Sequence, residues 1–173
     1  MPDSLQAVLV GCGGISAAWL RTLTAMPEVE LVALVDLDTS AARARAAEFG
    51  VAEAVISSDL ASTLDRFTPD LVFDCTVPSA HHDVTLTALQ HGCHVLGEKP
   101  LAETMSEARE MVAAAERAGR LYAVMQNRRY DPQIRRLRTF LSTGTIGRVT
   151  TVNSDFYIGA HFGGFRVRMR HVL

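Results

Sequence analysis

The sequence lacks an excess of charge of either sign. Its 173 residues include 17 Lys and Arg against 19 Asp and Glu, which gives a formal net charge of −2 and a pI of about 6.3. A protein that binds nucleic acid or an anionic membrane surface through its charge carries a basic excess or a basic patch. We therefore expect neither nucleic acid nor a membrane among the partners of this chain.

Long apolar runs and cysteines are also scarce. No apolar stretch approaches the roughly 18 residues that cross a bilayer, and no basic segment followed by an apolar one opens the chain. We therefore expect no membrane span and no signal peptide. The three cysteines are scattered and odd in number, which excludes a disulfide framework and predicts a reducing, cytoplasmic compartment. They are Cys12, Cys75 and Cys93.

Metal-ligand spacing is the last pattern that is missing. The six histidines show no arrangement typical of a zinc site, so we predict no metal. Apolar residues, in contrast, make up 48% of the chain, which is enough for a core. The length suffices for one domain and part of another.

The strongest motif is a glycine-rich turn. An apolar run over residues 6–10 leads into Gly11-Cys12-Gly13-Gly14-Ile15-Ser16, and a helical pattern follows at once. In a dinucleotide-binding turn the first glycine makes the tight turn, the second lets the backbone approach a pyrophosphate, and a third small residue packs the helix onto the strand. The phosphates lie at the helix N-terminus, where unpaired N–H groups point at them. The alternative is a turn without a ligand. The residues predicted to bind cofactor here are Gly11, Gly13, Gly14 and Ile15, with Ser16 as the small residue.

Asp36 follows the second apolar run, residues 29–35. A carboxylate at this place accepts hydrogen bonds from the ribose hydroxyls of an adenosine and repels a 2′-phosphate. No arginine follows directly, since the next residues are Leu37 and Asp38. NAD is therefore favoured over NADP as the cofactor. The alternative is that Asp36 is a helix N-cap or a solvated loop carboxylate, although Asp38 is the better candidate for that role.

Strand and helix patterns alternate along the first 125 residues, which is typical of a parallel sheet covered by helices on both faces. We predict an α/β fold, a doubly wound Rossmann sheet of six strands in the order 3-2-1-4-5-6, over residues 1–125. The predicted strands are 6–10, 29–35, 52–56, 71–75, 94–96 and 121–125. The first predicted helix follows the glycine turn and carries an apolar stripe of Ile15, Trp19, Leu23 and Met26. The others are a helix over 40–49, a short helix around 60–64, a helix that ends at His91, and a helix that begins with a capping box of Thr104 and Glu107.

The pattern changes after Gln126. Asp131-Pro132 predicts the start of a helix that continues through Leu141, and residues 149–158 alternate as one long strand. One helix and one strand do not complete a domain, so residues 126–173 are predicted to be the incomplete start of a second, α+β domain. A strand with open edges pairs with another, which predicts a homo-oligomer.

Five sequence blocks carry a resemblance that covers essentially the whole chain. They are Gly11-Cys12-Gly13-Gly14-Ile15, Thr76-x-Pro78-x-x-His81, Gly97-Glu98-Lys99-Pro100-Leu101, Asn127-Arg128-x-Tyr130-Asp131-Pro132 and Gly144-Thr145-Ile146-Gly147-Arg148-Val149. Together they resemble the Gfo/Idh/MocA family, named for glucose–fructose oxidoreductase and inositol dehydrogenase, and the Glu-Lys-Pro block is the specific part. The resemblance implies a Rossmann domain followed by an α/β domain with a large open sheet, through which members often form oligomers. It therefore implies that residues 126–173 begin a domain for substrate binding and dimerisation.

The resemblance also implies roles for individual residues. Lys99 matches the lysine beside the substrate hydroxyl, where an ammonium helps to move the proton and stabilises a developing alkoxide. Glu98 matches a residue near the nicotinamide ribose, and Asn127 is expected near the nicotinamide end. The loop that lines the cofactor is matched by Thr76, Pro78 and His81. The alternatives are that Lys99 is an exposed loop lysine and that His81 bonds to the backbone at a helix N-terminus.

The implied function is an NAD-dependent oxidoreductase that transfers hydride between nicotinamide and a secondary alcohol of a sugar, an inositol or a related polyol. The family's aspartate and histidine, in a pattern like Asp-x-x-x-His, are not found, and His171 does not fit that pattern. We therefore expect a C-terminally truncated member with impaired activity. The alternative function is a non-catalytic NAD-binding or assembly module, against which the retained Glu98-Lys99-Pro100 argues.

Overall fold

The computed structural model describes residues 4–155, and the chain divides after Met125 into two units. In the first unit, strands and helices alternate. The strands are β1 Leu5–Val10, β2 Val29–Val35, β3 Val55–Ser57, β4 Leu71–Asp74, β5 His94–Gly97 and β6 Tyr122–Val124. The helices are α1 Ser16–Leu23, α2 Thr39–Phe49, α3 Leu60–Phe67, α4 Pro78–Gln90 and α5 Met105–Ala118.

The strands form one parallel sheet in the order β3-β2-β1-β4-β5-β6. This confirms the fold class and the strand order predicted from the sequence. The order reverses direction between β1 and β4, so the loops that follow these two strands diverge to opposite sides of the sheet. In open parallel sheets such a switch point, at the carboxyl ends of the strands, is where ligands bind.

The core consists of two apolar layers, one on each face of the sheet. Along β1 the buried side chains alternate between them, with Leu9 in one layer and Val8 and Val10 in the other. Alternate residues of a strand point to opposite faces, so a strand buried on both faces is apolar throughout. This is why the strand patterns of the sequence are nearly continuous apolar runs.

The helix N-termini follow the signals in the sequence. The Asp38 carboxylate accepts a hydrogen bond from the N–H of Ser40 and caps α2. Thr104 and Glu107 form the predicted reciprocal capping box of α5. Asp38 therefore takes the capping role that was an alternative for Asp36.

The predicted boundaries differ most from the structure in two elements, the third strand and the third helix. The third strand is Val55–Ser57 and not 52–56, because the N–H of Ala54 donates to the carbonyl of Val51 at 3.1 Å and closes a turn there. The third helix continues to Phe67, three residues beyond the predicted short helix.

The apolar stripe predicted for α1 is shorter than expected. Trp19 and Leu23 are buried, but Ile15 and Met26 are 45% and 40% exposed. Ile15 precedes the first helical residue, and Met26 lies in the turn after the helix has ended at Leu23. Neither end of the stripe therefore reaches the interface between helix and sheet.

The described part of the second unit contains a 3₁₀ turn, Asn127–Tyr130, and helix α6, Pro132–Ser142. Asp131 caps α6 as predicted, because its carboxylate accepts the N–H groups of Gln133 and Ile134.

The strand predicted over 149–158 is wrong for 149–155, which contain no strand, and its last residues lie outside those described. Alternation alone does not make a strand, because the backbone needs a paired neighbour. His171 also lies outside the described residues.

Within residues 4–155, no helix combines the length and the apolar character that crossing a membrane requires.

Candidate functional site

A cleft of about 550 Å³ opens at the carboxyl edge of the sheet, at the switch point. Its walls come from the ends of β1, β2 and β4 and from the first turns of α3 and α4. Of the predicted cofactor-binding residues, it is lined by Gly11, Gly13, Asp36 and Thr76. Its apolar lining includes Leu37, Leu60, Val77 and Val84. Leu37 is 93% exposed although it is apolar, so the cleft offers an apolar surface beside a carboxylate.

Gly11 brings the loop after β1 against the end of β4. Its φ is 87°, and a Cβ there would lie 2.7 Å from backbone atoms of Cys75 and Thr76. The N–H of Gly11 donates to the carbonyl of Val35 on β2 at 2.8 Å. Both the positive φ and the close approach require glycine. The tight turn predicted from the sequence therefore lies where three central strands end.

The next two glycines border open space. A Cβ at Gly13 or Gly14 would meet nothing within 4 Å. Ser16 is fully buried, and its hydroxyl donates to the carbonyl of Gly13 at 2.6 Å. The small residue thus lies under the first turn of α1, and room for a ligand remains above the turn. Ile15, at the N-terminus of α1, does not line the cleft.

The carboxylate of Asp36 is hydrogen-bonded to this turn. Its Oδ2 accepts the N–H of Cys12 at 2.6 Å, and its Oδ1 accepts the N–H of Asp38 at 2.9 Å. Each carboxylate oxygen can accept a further hydrogen bond. A half-buried carboxylate that lines the cleft and is held at both oxygens is well placed to bind a pair of hydroxyl groups.

Arg45 of α2 holds the same turn from the other side. Its guanidinium donates to the carbonyls of Cys12 and Gly13, at 3.4 and 3.1 Å, and forms an ion pair with Glu48. Arg45 is not among the residues that the sequence predicts for the site. A guanidinium carries several donors in a fixed plane, so it can bridge two neighbouring carbonyls.

A buried polar network fixes the loop after β4. Asp74 Oδ1 accepts the N–H of Thr76 at 3.0 Å and its hydroxyl at 2.5 Å, and Oδ2 accepts from His81 Nδ1 at 2.8 Å. Asp74 and His81 are 1% and 2% exposed. His81 therefore does not line the cleft, and its partner is a side-chain carboxylate and not the backbone. Pro78 is the first residue of α4, where its missing N–H costs no hydrogen bond, and it does not line the cleft either.

Glu98 and Lys99 follow β5 along the same edge of the sheet. The N–H of Glu98 donates to the carbonyl of Asp74 at 2.9 Å, and its carboxylate accepts from the indole of Trp19 at 2.8 Å and from the N–H of Lys99 at 3.2 Å. Lys99 is exposed, and its ammonium has no hydrogen-bond or ion-pair partner among residues 4–155. The peptide bond that joins Lys99 to Pro100 is cis. Neither Glu98 nor Lys99 lines the cleft of 550 Å³.

Asn127 belongs to the second unit. It begins the 3₁₀ turn, and its carboxamide oxygen accepts the N–H of Arg128 at 2.9 Å. Its expected place near the nicotinamide stays a prediction.

The cysteines are inert in this setting. All three are buried and free. Burial, with a smaller contribution from Asp36, raises the pKa of Cys12 to about 12, and burial raises the pKa of Cys93 to about 11. Burial likewise raises the pKa of Cys75. None of these thiols is therefore activated as a nucleophile. The described part of the chain holds no group of three or more His, Cys, Asp and Glu residues that could bind a metal ion.

Comparison with known proteins gives consistent results. The model of the Gfo/Idh/MocA family, described as an oxidoreductase family with an NAD-binding Rossmann fold, matches residues 5–126. The chain is 34% identical over 142 residues to D-apiose dehydrogenase of Paraburkholderia graminis. The matched region covers 82% of this chain and 37% of that protein. The chain is 32% identical over 149 residues to D-glucoside 3-dehydrogenase of Escherichia coli, covering 84% of this chain and 41% of that one.

A solved structure shows the same fold. GenD2 from gentamicin A biosynthesis, in complex with NAD, superimposes with a TM-score of 0.77 at 29% identity and covers 83% of this chain and 40% of its own. The chain thus spans about two fifths of the length of the proteins it matches. The parallel sheet with its switch point agrees with the NAD-binding Rossmann fold of the matched family, and NAD is the cofactor that the sequence predicted. The chain therefore belongs to the Gfo/Idh/MocA family of oxidoreductases, with an NAD-binding Rossmann fold.

Proposed function

We propose that this chain provides the cofactor site of an NAD-dependent oxidoreductase that acts on a secondary alcohol of a sugar, an inositol or a related polyol. The observation that carries the proposal is the cleft at the switch point, bounded by the glycine turn and by Asp36. The names of the relatives, a D-apiose dehydrogenase and a D-glucoside 3-dehydrogenase, support the class of substrate.

The residues around the cleft fit the parts of the dinucleotide. Gly13 and Gly14 leave the space that a pyrophosphate needs at the N-terminus of α1. Asp36 binds the ribose hydroxyls of the adenosine, and the exposed Leu37 packs against its base. Thr76, held by Asp74, forms the opposite wall. NAD, when bound, supplies the hydride acceptor or donor.

Lys99 is proposed to act on the substrate proton. An exposed ammonium without a partner among the described residues is available for a substrate hydroxyl, where its positive charge stabilises an alkoxide. Glu98 is proposed to bind near the nicotinamide ribose, because its backbone and its carboxylate are both fixed at the edge of the sheet. Asn127 is proposed to bind the nicotinamide end of the cofactor, which rests on the resemblance alone.

Three further proposals concern the chain as a whole. Taken alone, it binds NAD but turns substrate over slowly or not at all, because its sequence does not show the Asp-x-x-x-His pattern. Its three free thiols favour a cytoplasmic location. A homo-oligomer rests on the family resemblance, since residues 149–155 do not form the strand on which the prediction depended.

The test is calorimetric titration of NAD and NADP into the wild type and into Asp36→Asn. The substitution removes the charge and one of the two acceptor oxygens, and it keeps one oxygen that can accept the N–H of Cys12 in the turn. We expect the wild type to prefer NAD, and the variant to lose about tenfold in affinity for NAD, the effect of a hydrogen bond to a charged group, while its affinity for NADP relative to NAD rises.

Asp38→Asn is the matched control. Asp38 is the neighbouring carboxylate, caps α2 and does not line the cleft, so this variant should bind both dinucleotides as the wild type does. A wild type that binds neither dinucleotide contradicts the proposed cofactor site. An unchanged ratio of affinities in Asp36→Asn contradicts the role of Asp36.

A further inference from the structure

Trp19 is the chain's single tryptophan, and it lies on α1, the helix that the glycine turn opens. Its side chain is 8% exposed, and its ring packs against Phe73 of β4 with the ring centroids 5.6 Å apart. A buried indole N–H normally finds a hydrogen-bond acceptor. Here the acceptor is Oε1 of Glu98, at 2.8 Å, which belongs to the loop after β5.

With this contact, the backbone N–H and both carboxylate oxygens of Glu98 are hydrogen-bonded within the protein. The backbone N–H of Glu98 is bonded to the carbonyl of Asp74, and its Oε2 accepts the N–H of Lys99 at 3.2 Å. Hydrogen bonds to an ionised carboxylate are shorter and stronger than neutral ones. Since Phe73 restrains the indole, the direction of its N–H is set by the core and not by the loop.

We propose that Trp19 is a positioning residue, whose indole N–H orients the Glu98 carboxylate for the nicotinamide ribose of NAD. This inference rests on the proposed function. Trp19 does not line the cleft and acts only through Glu98. The contact joins the helix that faces the pyrophosphate to the segment that carries Lys99, so the two ends of the cofactor site are held in one arrangement before binding. Such preorganisation raises affinity because fewer groups are ordered on binding.

The test compares NAD with ADP, which contains the adenosine and the pyrophosphate but not the nicotinamide ribose. Trp19→Phe keeps an aromatic ring against Phe73 and removes the N–H donor. In calorimetric titrations we expect this variant to lose about tenfold in affinity for NAD, as for a lost hydrogen bond to a charged group, and to bind ADP as the wild type does. Equal losses for both ligands indicate a merely structural role through α1 and overturn the proposal, and so does an unchanged affinity for NAD.

A second measurement does not depend on the folding of a Trp19 variant. Because the chain has one tryptophan, its indole N–H gives a single cross-peak in a ¹⁵N–¹H NMR spectrum. We expect that peak to move on addition of NAD and in Glu98→Gln, which keeps an acceptor and removes the charge. It should stay in place in Glu110→Gln, an exposed carboxylate on α5.

The two proposals fail in different ways. Suppose that calorimetry shows NAD binding to the wild type, but the Trp19 cross-peak moves neither on addition of NAD nor in Glu98→Gln. This result overturns the role of Trp19 and does not contradict the cofactor site. A wild type that binds no NAD overturns the proposed function, and the role of Trp19 with it.

Discussion

His81 and His82 are neighbours in the sequence, and each has a ring nitrogen close to a carboxylate oxygen. His81 Nδ1 lies 2.8 Å from Asp74, and His82 Nδ1 lies 3.0 Å from Asp83. The side chains of the first pair are 2% and 1% exposed, whereas those of the second are 24% and 89% exposed. The same chemistry therefore occurs on the two sides of one helix in different surroundings.

The helical geometry of α4 produces this difference. Successive residues of an α-helix are rotated by about 100°, so His81 faces β4 while His82 faces α5, where its Nε2 lies 3.1 Å from Glu110. Removing one partner of a buried pair leaves a polar group without water or a substitute, which is costly. Exposed pairs exchange their partner for water at little cost. The comparison thus predicts that distance is a poor guide to the energetic importance of a pair, and that burial decides it.

The largest effect is expected for Asp74→Ala. The substitution removes the carboxylate that accepts from His81 Nδ1 and from both donors of Thr76. The contacts that remain for the Thr76 hydroxyl are longer, 3.3 Å to His81 Nδ1 and 3.5 Å to the carbonyl of Val77. We expect the free energy of unfolding to fall by about 3 kcal/mol, the order seen when buried polar groups lose their partner. Urea denaturation measures the change. Asp83→Ala is the matched control and should cost less than about 0.5 kcal/mol. Equal losses in the two variants would refute the importance of burial.

A double-mutant cycle sharpens the comparison. We expect Asp74→Ala and His81→Ala to be coupled, so that the double variant loses about 1–2 kcal/mol less than the two single losses together, as for residues in direct contact. The corresponding cycle for Asp83 and His82 should give a coupling below about 0.5 kcal/mol. If the two coupling energies agree, the buried pair contributes no more than the exposed one. Urea denaturation of all six variants and the wild type provides both values.

The fold could be predicted from the sequence because its signals are local. Gly11 must turn tightly directly after an apolar strand, and Asp38 and Thr104 cap helices through residues next to them in the chain. The alternation of strand and helix then leaves few arrangements of the sheet. The long strand expected over 149–158 shows the limit of this reasoning, since its pattern is local but its pairing is not.

The candidate site could be predicted only in part, for a related reason. The position of Asp36 at the end of a strand is visible in the sequence, but its bond to Cys12 is not. The sequence pattern places Trp19 only in an apolar stripe, because nothing near it in the sequence indicates an acceptor as distant as Glu98. For Asp74 a signal existed: a carboxylate in an otherwise apolar run needs a partner when it is buried. The sequence did not show that α4 would turn His81 toward it.

The smallest effect concerns the exposed side of α4 and depends on pH. The hydrogen bond from His82 to Asp83, with a further contribution from Glu110, raises the pKa of His82 above its ordinary value of 6.5. A pKa that is higher in the folded than in the unfolded chain stabilises the fold below about pH 6.5, and this stabilisation is lost as the pH rises through the folded value. The free energy of unfolding of His82→Gln should therefore be lower than that of the wild type at about pH 5.5, by less than about 1 kcal/mol, and the difference should shrink by about pH 8.5.

Urea denaturation at both pH values measures the free energy of unfolding of the variant and of the wild type. The difference between the two proteins at each pH cancels the contributions of groups that titrate alike in both. Glu110→Gln, which deletes one of the two carboxylates beside His82, should show the same trend with a smaller amplitude. A difference that is flat with pH, or that grows as the pH rises, would mean that His82 gains nothing from its carboxylates. The difference between His82 and His81 would then come from how the two side chains pack, and not from the neighbouring carboxylates of two similar histidine–carboxylate contacts.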